Sequence, residues 1–291
     1  MIVNNNRLPW PLVETDWLAN ELGADDLRII DCGVVMKTTA DGGYTFVGGE
    51  EEHAQGHIPG GAFVDVLQQL TDASSSLPMM LPKPETFSAV MSSLGVGTGT
   101  RAVLYDRSNH AWAARVWWML RAYGFEHAAV LNGGWNKWHA EQKHISTDPH
   151  NYAEARFTAS YQPQLIADKQ QVTAAIEDAQ ICLINALSPA EHTGESTRFA
   201  RPGRITNSVN VYCQSLVDPE THAYLPASEL REIFASAGAL DAQQSITYCG
   251  AGIAASSDAL VLTALGVQNV AVYDGSMAEW TSDADAPMET G

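Results

Sequence analysis

Cys249 stands between a β-type run, Ser245-Ile246-Thr247-Tyr248, and a small-residue loop, Gly250-Ala251-Gly252, that opens into the helical pattern beginning at Ile253-Ala254-Ala255. A thiol at that address meets the amino end of a helix. There, unpaired backbone N–H groups and the positive end of the macrodipole favour a thiolate or a bound anion. Nucleophilic sulfur chemistry is the expectation. Gly250 and Gly252 lack Cβ, so both can take positive φ, and the N–H groups of Gly250, Ala251, Gly252, Ile253 and Ala254 can converge on the sulfur as an anion nest. The competing reading is a buried structural cysteine closing a core strand, as most lone cysteines are. The glycine-rich strand-to-helix loop favours the nucleophile.

A second constellation is basic. From residue 151 onward the only lysines and arginines are Arg156, Lys169, Arg198, Arg201, Arg204 and Arg231. Three of the six thus fall between positions 198 and 204. Their guanidinium forks could hold a sulfonate or carboxylate bidentately while Cys249 reaches its sulfur. The same arginines could equally form solvated ion pairs with Glu191 or Glu195, worth little energetically. A cysteine phosphatase or arsenate reductase would need a phosphate-gripping arginine six positions after the cysteine. Here that position is Ala255, and no basic residue follows Cys249.

Composition bounds the partners. The 291-residue chain is 45% hydrophobic with a formal net charge of -18, so it supports packed cores and repels nucleic acid and anionic membranes as general partners. Cys32, Cys182, Cys213 and Cys249 are scattered, with no CxxC pair and no zinc-type spacing. Free thiols in a reducing compartment are expected. The segment Met1–Trp10 lacks the apolar core of a signal peptide, and no run approaches membrane-spanning length, so a cytoplasmic protein is the expectation.

The elements that must position Cys249 are written twice. Ala102-Val103-Leu104-Tyr105-Asp106 leads through a helical segment to Tyr123-Gly124 and then to Ala128–Trp138. Ser245–Cys249 leads likewise to Leu265-Gly266 and then to Val270–Trp280. The offset is 143 between Asp106 and Cys249 and 142 between Trp138 and Trp280. An earlier pair, Leu27–Cys32 and Ile181–Ala186, is offset by 154. Short β-branched runs alternating with helical patterns argue for α/β architecture: two tandem domains, each a parallel sheet flanked by helices. Gly124 and Gly266 should close the helices Ala111–Tyr123 and Ala254–Leu265. The polar stretch Lys143–Asn151 reads as a linker, giving domains 1–149 and 150–291. Cys249 would then lie at the carboxyl end of a parallel strand, where such sheets bind ligands.

This duplicated plan, the loop cysteine, and the stretches Gly56-His57-Ile58-Pro59-Gly60, Arg115-Val116-Trp117-Trp118-Met119-Leu120 and Tyr273-Asp274-Gly275-Ser276 resemble the two-domain rhodanese sulfurtransferases, which include thiosulfate and 3-mercaptopyruvate sulfurtransferases. The resemblance runs from about Leu8 to Trp280. It implies that the amino-terminal domain, with Asp106 in place of the cysteine, is catalytically silent. It further implies that Cys249 takes a sulfur from a small anionic donor, holds it as a persulfide, and passes it to cyanide or a thiol acceptor. No cofactor or metal is required. The family also places a substrate arginine in the insertion containing Arg198. A non-catalytic sulfur carrier or binding module is the alternative.

The donor stays open. Thiosulfate-type loops carry cations after the cysteine, and mercaptopyruvate-type loops resemble Cys-Gly-Ser-Gly-Val-Thr, whereas this loop is Cys-Gly-Ala-Gly-Ile-Ala. The second copy of Gly-His-Ile-Pro-Gly reads Gly203-Arg204-Ile205-Thr206-Asn207. Elsewhere, His57 should bond locally, Asp31 and Asp274 should accept turn N–H groups, and Arg115 should make a buried ion pair. Trp117, Trp118, Cys32, Cys182 and Cys213 should be core.

Overall fold

The computed structural model describes residues 11–39, 44–196 and 198–291, and the expectations placed on Met1–Trp10 lie outside them. The first half runs β1 (Leu12–Val13), α1 (Thr15–Glu21), β2 (Leu27–Asp31), β3 (Val34–Thr38), β4 (Tyr44–Gly48), α2 (Glu50–Gln55), β5 (Gly61–Phe63), α3 (Val66–Gln69), α4 (Pro84–Ser93), β6 (Arg101–Tyr105), α5 (Ala111–Ala122), β7 (Ala128–Leu131) and α6 (Gly134–Ala140). The second runs β8 (Ile166–Ala167), α7 (Lys169–Ala175), β9 (Ile181–Asn185), α8 (Pro189–Thr193), β10 (Arg204–Ile205), β11 (Val209–Asn210), α9 (Ala227–Ser236), β12 (Gln244–Tyr248), α10 (Ile253–Ala264), β13 (Val270–Tyr273), α11 (Ser276–Trp280) and β14 (Met288–Glu289).

The two halves repeat one topology. The first sheet has the order β1-β7-β6-β2-β5, and the second, read from β8, has the order β8-β13-β12-β9-β11. Every pairing within both sheets is parallel. Each sheet is therefore an α/β layer, with β6 and β12 as corresponding central strands. All positions of β6, β7 and β13 are buried, as strands covered on both faces must be. That explains why their sequences run apolar without alternation.

Helix packing repeats as well. In α5 every residue but Arg121 is buried, including Trp117 and Trp118, which are core as expected. Gly124 (φ +81°) and Gly266 (φ +94°) close α5 and α10 in the same way. Phe125 N–H donates to Leu120 O and Val267 N–H to Leu262 O, the long bond of a Schellman motif. A side chain at either glycine would meet the left-handed penalty of about 1–2 kcal/mol.

The chain divides by contacts into two units, Met1–Thr71 with Pro82–Tyr161 and Pro219–Ala223, and Asp72–Leu81 with Gln162–Asp218 and Tyr224–Gly291. The polar stretch at 143–151 is not a free tether. Ser146 and His57 exchange both backbone bonds at 2.9 Å. The Tyr152 hydroxyl donates to Gly60 O and accepts from Ile29 N–H, so this stretch is fastened to the first unit. In the second unit, Leu81 N–H donates to the Asp274 carboxylate at 2.7 Å.

Candidate active site

Strand β12 ends by delivering Cys249, 2% exposed, to the carboxyl edge of its sheet. Gly252 then takes φ +79° as the residue before α10. Gly250 does not adopt positive φ, contrary to the expectation from its lack of Cβ. Its glycine character has another cause. A Cβ there would lie 3.1 Å from Phe199 Cζ and 3.3 Å from Cε1, so the Phe199 ring rests directly on the residue after the cysteine.

The start of α11 clamps the loop from behind. Met277 N–H donates to Cys249 O and Ala278 N–H to Gly250 O, each at 3.0 Å. Ser276 Oγ accepts from Cys249 N–H (3.1 Å) and Gly252 N–H (3.2 Å) and donates to Tyr273 O. Ser276 does this at φ +48°, a left-handed conformation held because its hydroxyl satisfies three backbone groups. The Gly252 amide is thus spent on Ser276 and leaves the five-amide nest expected from the sequence. The N–H groups of Gly250, Ala251, Ile253 and Ala254 have no hydrogen-bond acceptor among the described residues. Four preorganised donors in one short loop suit an anion.

The first unit shows what such a loop holds. Asp106, at the end of β6, turns its carboxylate into its own loop. Its Oδ1 accepts from Ser108 N–H (2.8 Å) and His110 N–H (3.2 Å), and its Oδ2 accepts from Trp112 N–H (3.0 Å) and Ala113 N–H (3.1 Å). His110, at φ +70°, stands where Gly252 does. Trp135 N–H donates to Asp106 O at 3.0 Å, just as Met277 donates to Cys249 O. In one copy four loop amides bind the Asp106 carboxylate, and in the other four loop amides follow a thiol.

One difference between the copies explains Ser276. Its counterpart is Gly134 (φ +52°), where a Cβ would come within 2.6 Å of Asp106 O. The second copy admits the side chain and uses its hydroxyl. The sequence carried that signal in the mismatch between Gly134 and Ser276, although the role needs the fold to be seen.

The three arginines are not brought together on one ligand site. Arg201 donates to the carbonyls of Asp283 (2.7 Å) and Ala286 (2.8 Å). Arg204 donates to Gly291 O and pairs with Glu289 at 3.2 Å, where β10 meets β14. Both serve to fasten the chain's final residues. Arg198 connects to the cysteine loop through Phe199: its guanidinium lies 5.4 Å from the Phe199 ring centroid and pairs with Glu191 at 3.2 Å.

Acidic and neutral groups crowd the same edge. Burial pushes the Cys213 thiol up, with smaller pushes from Asp258, Cys249 and Glu191, so it stays protonated. Asp258, on α10, is fully buried, neither carboxyl oxygen has a hydrogen-bond partner among the described residues, and desolvation holds its carboxyl well above the usual range. Asn185 ends β9 and donates its amide to His192 Nδ1 at 3.2 Å. Burial pushes that imidazole down to about 4, keeping it neutral. In the first unit the corresponding strand-end residue is Asp31, which accepts Gly33 N–H and is neutralised by Arg107 (2.9 Å) beside His53 (3.0 Å).

Other expected residues are structural. The two His57 ring nitrogens lie 2.9 Å from His53 O and 3.2 Å from Asp148 O. Arg115 is fully buried, with its guanidinium 4.8 Å from the Trp118 ring centroid. Cys32 is buried, whereas Cys182 is half-buried, and burial pushes its thiol up to about 11.

Two copies of one parallel α/β unit, the second ending its central strand on a thiol among free amides, define the rhodanese class. The rhodanese-like domain matches residues 14–141 and 168–283, and the chain belongs to that family. Its class of activity is sulfur transfer, so a sulfur donor and a sulfur acceptor are its substrates. The chain is 32% identical over 280 residues to the 3-mercaptopyruvate sulfurtransferase of Escherichia coli (strain K12), covering 95% of this chain and 97% of that one. It is 30% identical over 289 residues to the thiosulfate sulfurtransferase of Cricetulus griseus, covering 96% and 94%. The crystal structure of the 3-mercaptopyruvate sulfotransferase SseA from Escherichia coli superposes with a TM-score of 0.80 at 32% identity, covering 91% of this chain and 98% of that one. Among the described residues no helix is long and apolar enough to cross a membrane.

Proposed function

We propose that this chain moves a sulfane sulfur from 3-mercaptopyruvate or thiosulfate, through a persulfide on Cys249, to cyanide or a thiol. The observation that carries the reading is the pair of loops. Where Asp106 fills its nest with a carboxylate, the second copy leaves four amides beside a sulfur. The Cys249 thiolate attacks the outer sulfur of the donor. With thiosulfate the S–S bond breaks and sulfite departs with the electron pair. With 3-mercaptopyruvate the C–S bond breaks and the pair stays on carbon as pyruvate enolate, which takes up a proton. The N–H groups of Gly250, Ala251, Ile253 and Ala254 stabilise the negative charge on thiolate and persulfide as fixed dipoles. Cyanide or a thiolate then attacks the outer sulfur, returning the electron pair to Cys249.

Arg198 meets the donor's anionic group at the rim of the loop. The half bearing Asp106 is silent in this reading, because a carboxylate cannot carry sulfane sulfur. The scattered free cysteines support a reducing, cytoplasmic setting. The test is intact-mass spectrometry after exposure to each donor. One added sulfur is expected on the wild-type chain, discharged by cyanide as thiocyanate and absent in Cys249→Ser. Turnover retained by Cys249→Ser refutes the mechanism. A stable adduct that no acceptor discharges makes the chain a carrier.

A further inference from the structure

The arginine nearest the cysteine loop does not stand alone. Glu191 Oε1 pairs with Arg198 Nη1 at 3.2 Å, while Oε2 accepts from Ser188 N–H (3.1 Å) and Oγ (2.8 Å) in the capping box that starts α8. The two partners are unequal. The Glu191 side chain is 13% exposed and held by its cap, whereas Arg198 is 47% exposed and rests on Phe199, itself packed on Gly250. The carboxylate is therefore the fixed member and the guanidinium the mobile one. Glu191 also contributes to pushing up both Tyr212 and Cys213, and Cys213 feels Cys249 as well. The charge of Glu191 thus reaches the edge where Cys249 works.

We propose that Glu191 is a specificity-determining residue that guards Arg198 and selects monoanionic sulfur donors over dianionic ones. The inference rests on the reading of Arg198 as the donor's ligand. A donor's anionic group must take the place of the Glu191 carboxylate on the guanidinium, and Glu191, anchored by Ser188, stays nearby after the exchange. A monocarboxylate such as 3-mercaptopyruvate replaces one carboxylate by another. Thiosulfate brings a second negative charge into the field of a retained one. At separations of about 7 Å and an effective dielectric between those of protein and water, each additional charge costs about fourfold in binding. Salt should weaken this discrimination, because the pair is partly solvated.

The test compares kcat/KM for thiosulfate and for 3-mercaptopyruvate in wild type, Glu191→Gln, Glu191→Asp and Arg198→Ala, with cyanide as acceptor. Gln keeps the oxygen that the capping box needs, so α8 retains its start. Glu191→Gln is expected to shift the ratio about fourfold toward thiosulfate, more at low salt than at high. Glu191→Asp, which keeps the charge, is expected to hold the wild-type ratio. Arg198→Ala is expected to lower kcat/KM for both donors. A ratio unmoved by Glu191→Gln, with Arg198→Ala still impaired, overturns the guard and leaves the arginine's role standing. Arg198→Ala kinetics identical to wild type overturn both. An equal ratio shift in Gln and Asp overturns the electrostatic cause.

Discussion

Asp258 offers the most quantitative test of how the second unit is built. It sits on the helix that begins at the cysteine loop, fully buried, with neither carboxyl oxygen hydrogen-bonded among the described residues. Desolvation raises its pKa well above the usual carboxylate range, so the folded chain keeps this proton to higher pH than the unfolded chain does. The sign follows from linkage. The unfolded chain releases this proton above about pH 4, and the folded chain keeps it until its own higher pKa is reached. Stability is therefore undiminished by this group below about pH 4. It falls by about 1.4 kcal/mol per pH unit from there up to the folded pKa, beyond which the loss stops growing. Asp258→Asn is nearly isosteric and never ionises, so it keeps the cost of an unpaired polar group, about 1–3 kcal/mol, and removes the pH slope. Urea unfolding of wild type and Asp258→Asn at several pH values between 4 and 8 should give curves that converge at the acid end. Toward neutrality they should diverge, the variant becoming progressively the more stable, by at most about 1.4 kcal/mol for each pH unit. A difference independent of pH would refute the reasoning, because it would mean that Asp258 is ionised or compensated in the fold.

Three further variants probe the two loops. Ser276→Ala removes the acceptor of Cys249 N–H and Gly252 N–H; about a tenfold loss of kcat/KM is expected, and Ser276→Gly, which relieves the positive φ but also lacks the hydroxyl, should lose as much. Wild-type rates in Ser276→Gly would assign the role to backbone conformation instead. Asp106→Ala strips the acceptor from four amides, so thermal denaturation should show a loss of about 3–5 kcal/mol. Added sulfate should recover part of it by occupying the emptied nest, and a variant as stable as wild type would show that those bonds contribute nothing net.

Much of the fold was legible because its signals are local. Apolar β-branched runs give the strands, and Gly124 and Gly266 end their helices through bonds made within six residues. The offset of 143 between Asp106 and Cys249 aligned two central strands without any knowledge of their partners. The linker expectation failed at 143–151 for a nonlocal reason: Ser146 pairs with His57, 89 positions away in the chain. The basic cluster failed similarly, since proximity in sequence did not place Arg198, Arg201 and Arg204 on one ligand. Two of them were claimed by residues 283–291.

The sequence by itself singled out Cys249 as the candidate nucleophile, the copy that carries it, and the small-residue loop after it as the candidate anion site. Those properties depend on residue type, backbone freedom and a helix start, all written within a dozen consecutive positions. Only the tertiary structure decided how that loop is held. Phe199 explains why position 250 is glycine, Ser276 takes up the Gly252 amide, and Glu191 pairs with Arg198. Each of these contacts joins segments far apart in the chain or separated by an irregular loop. Their partners are therefore set by how the strands and helices pack, which no local pattern records.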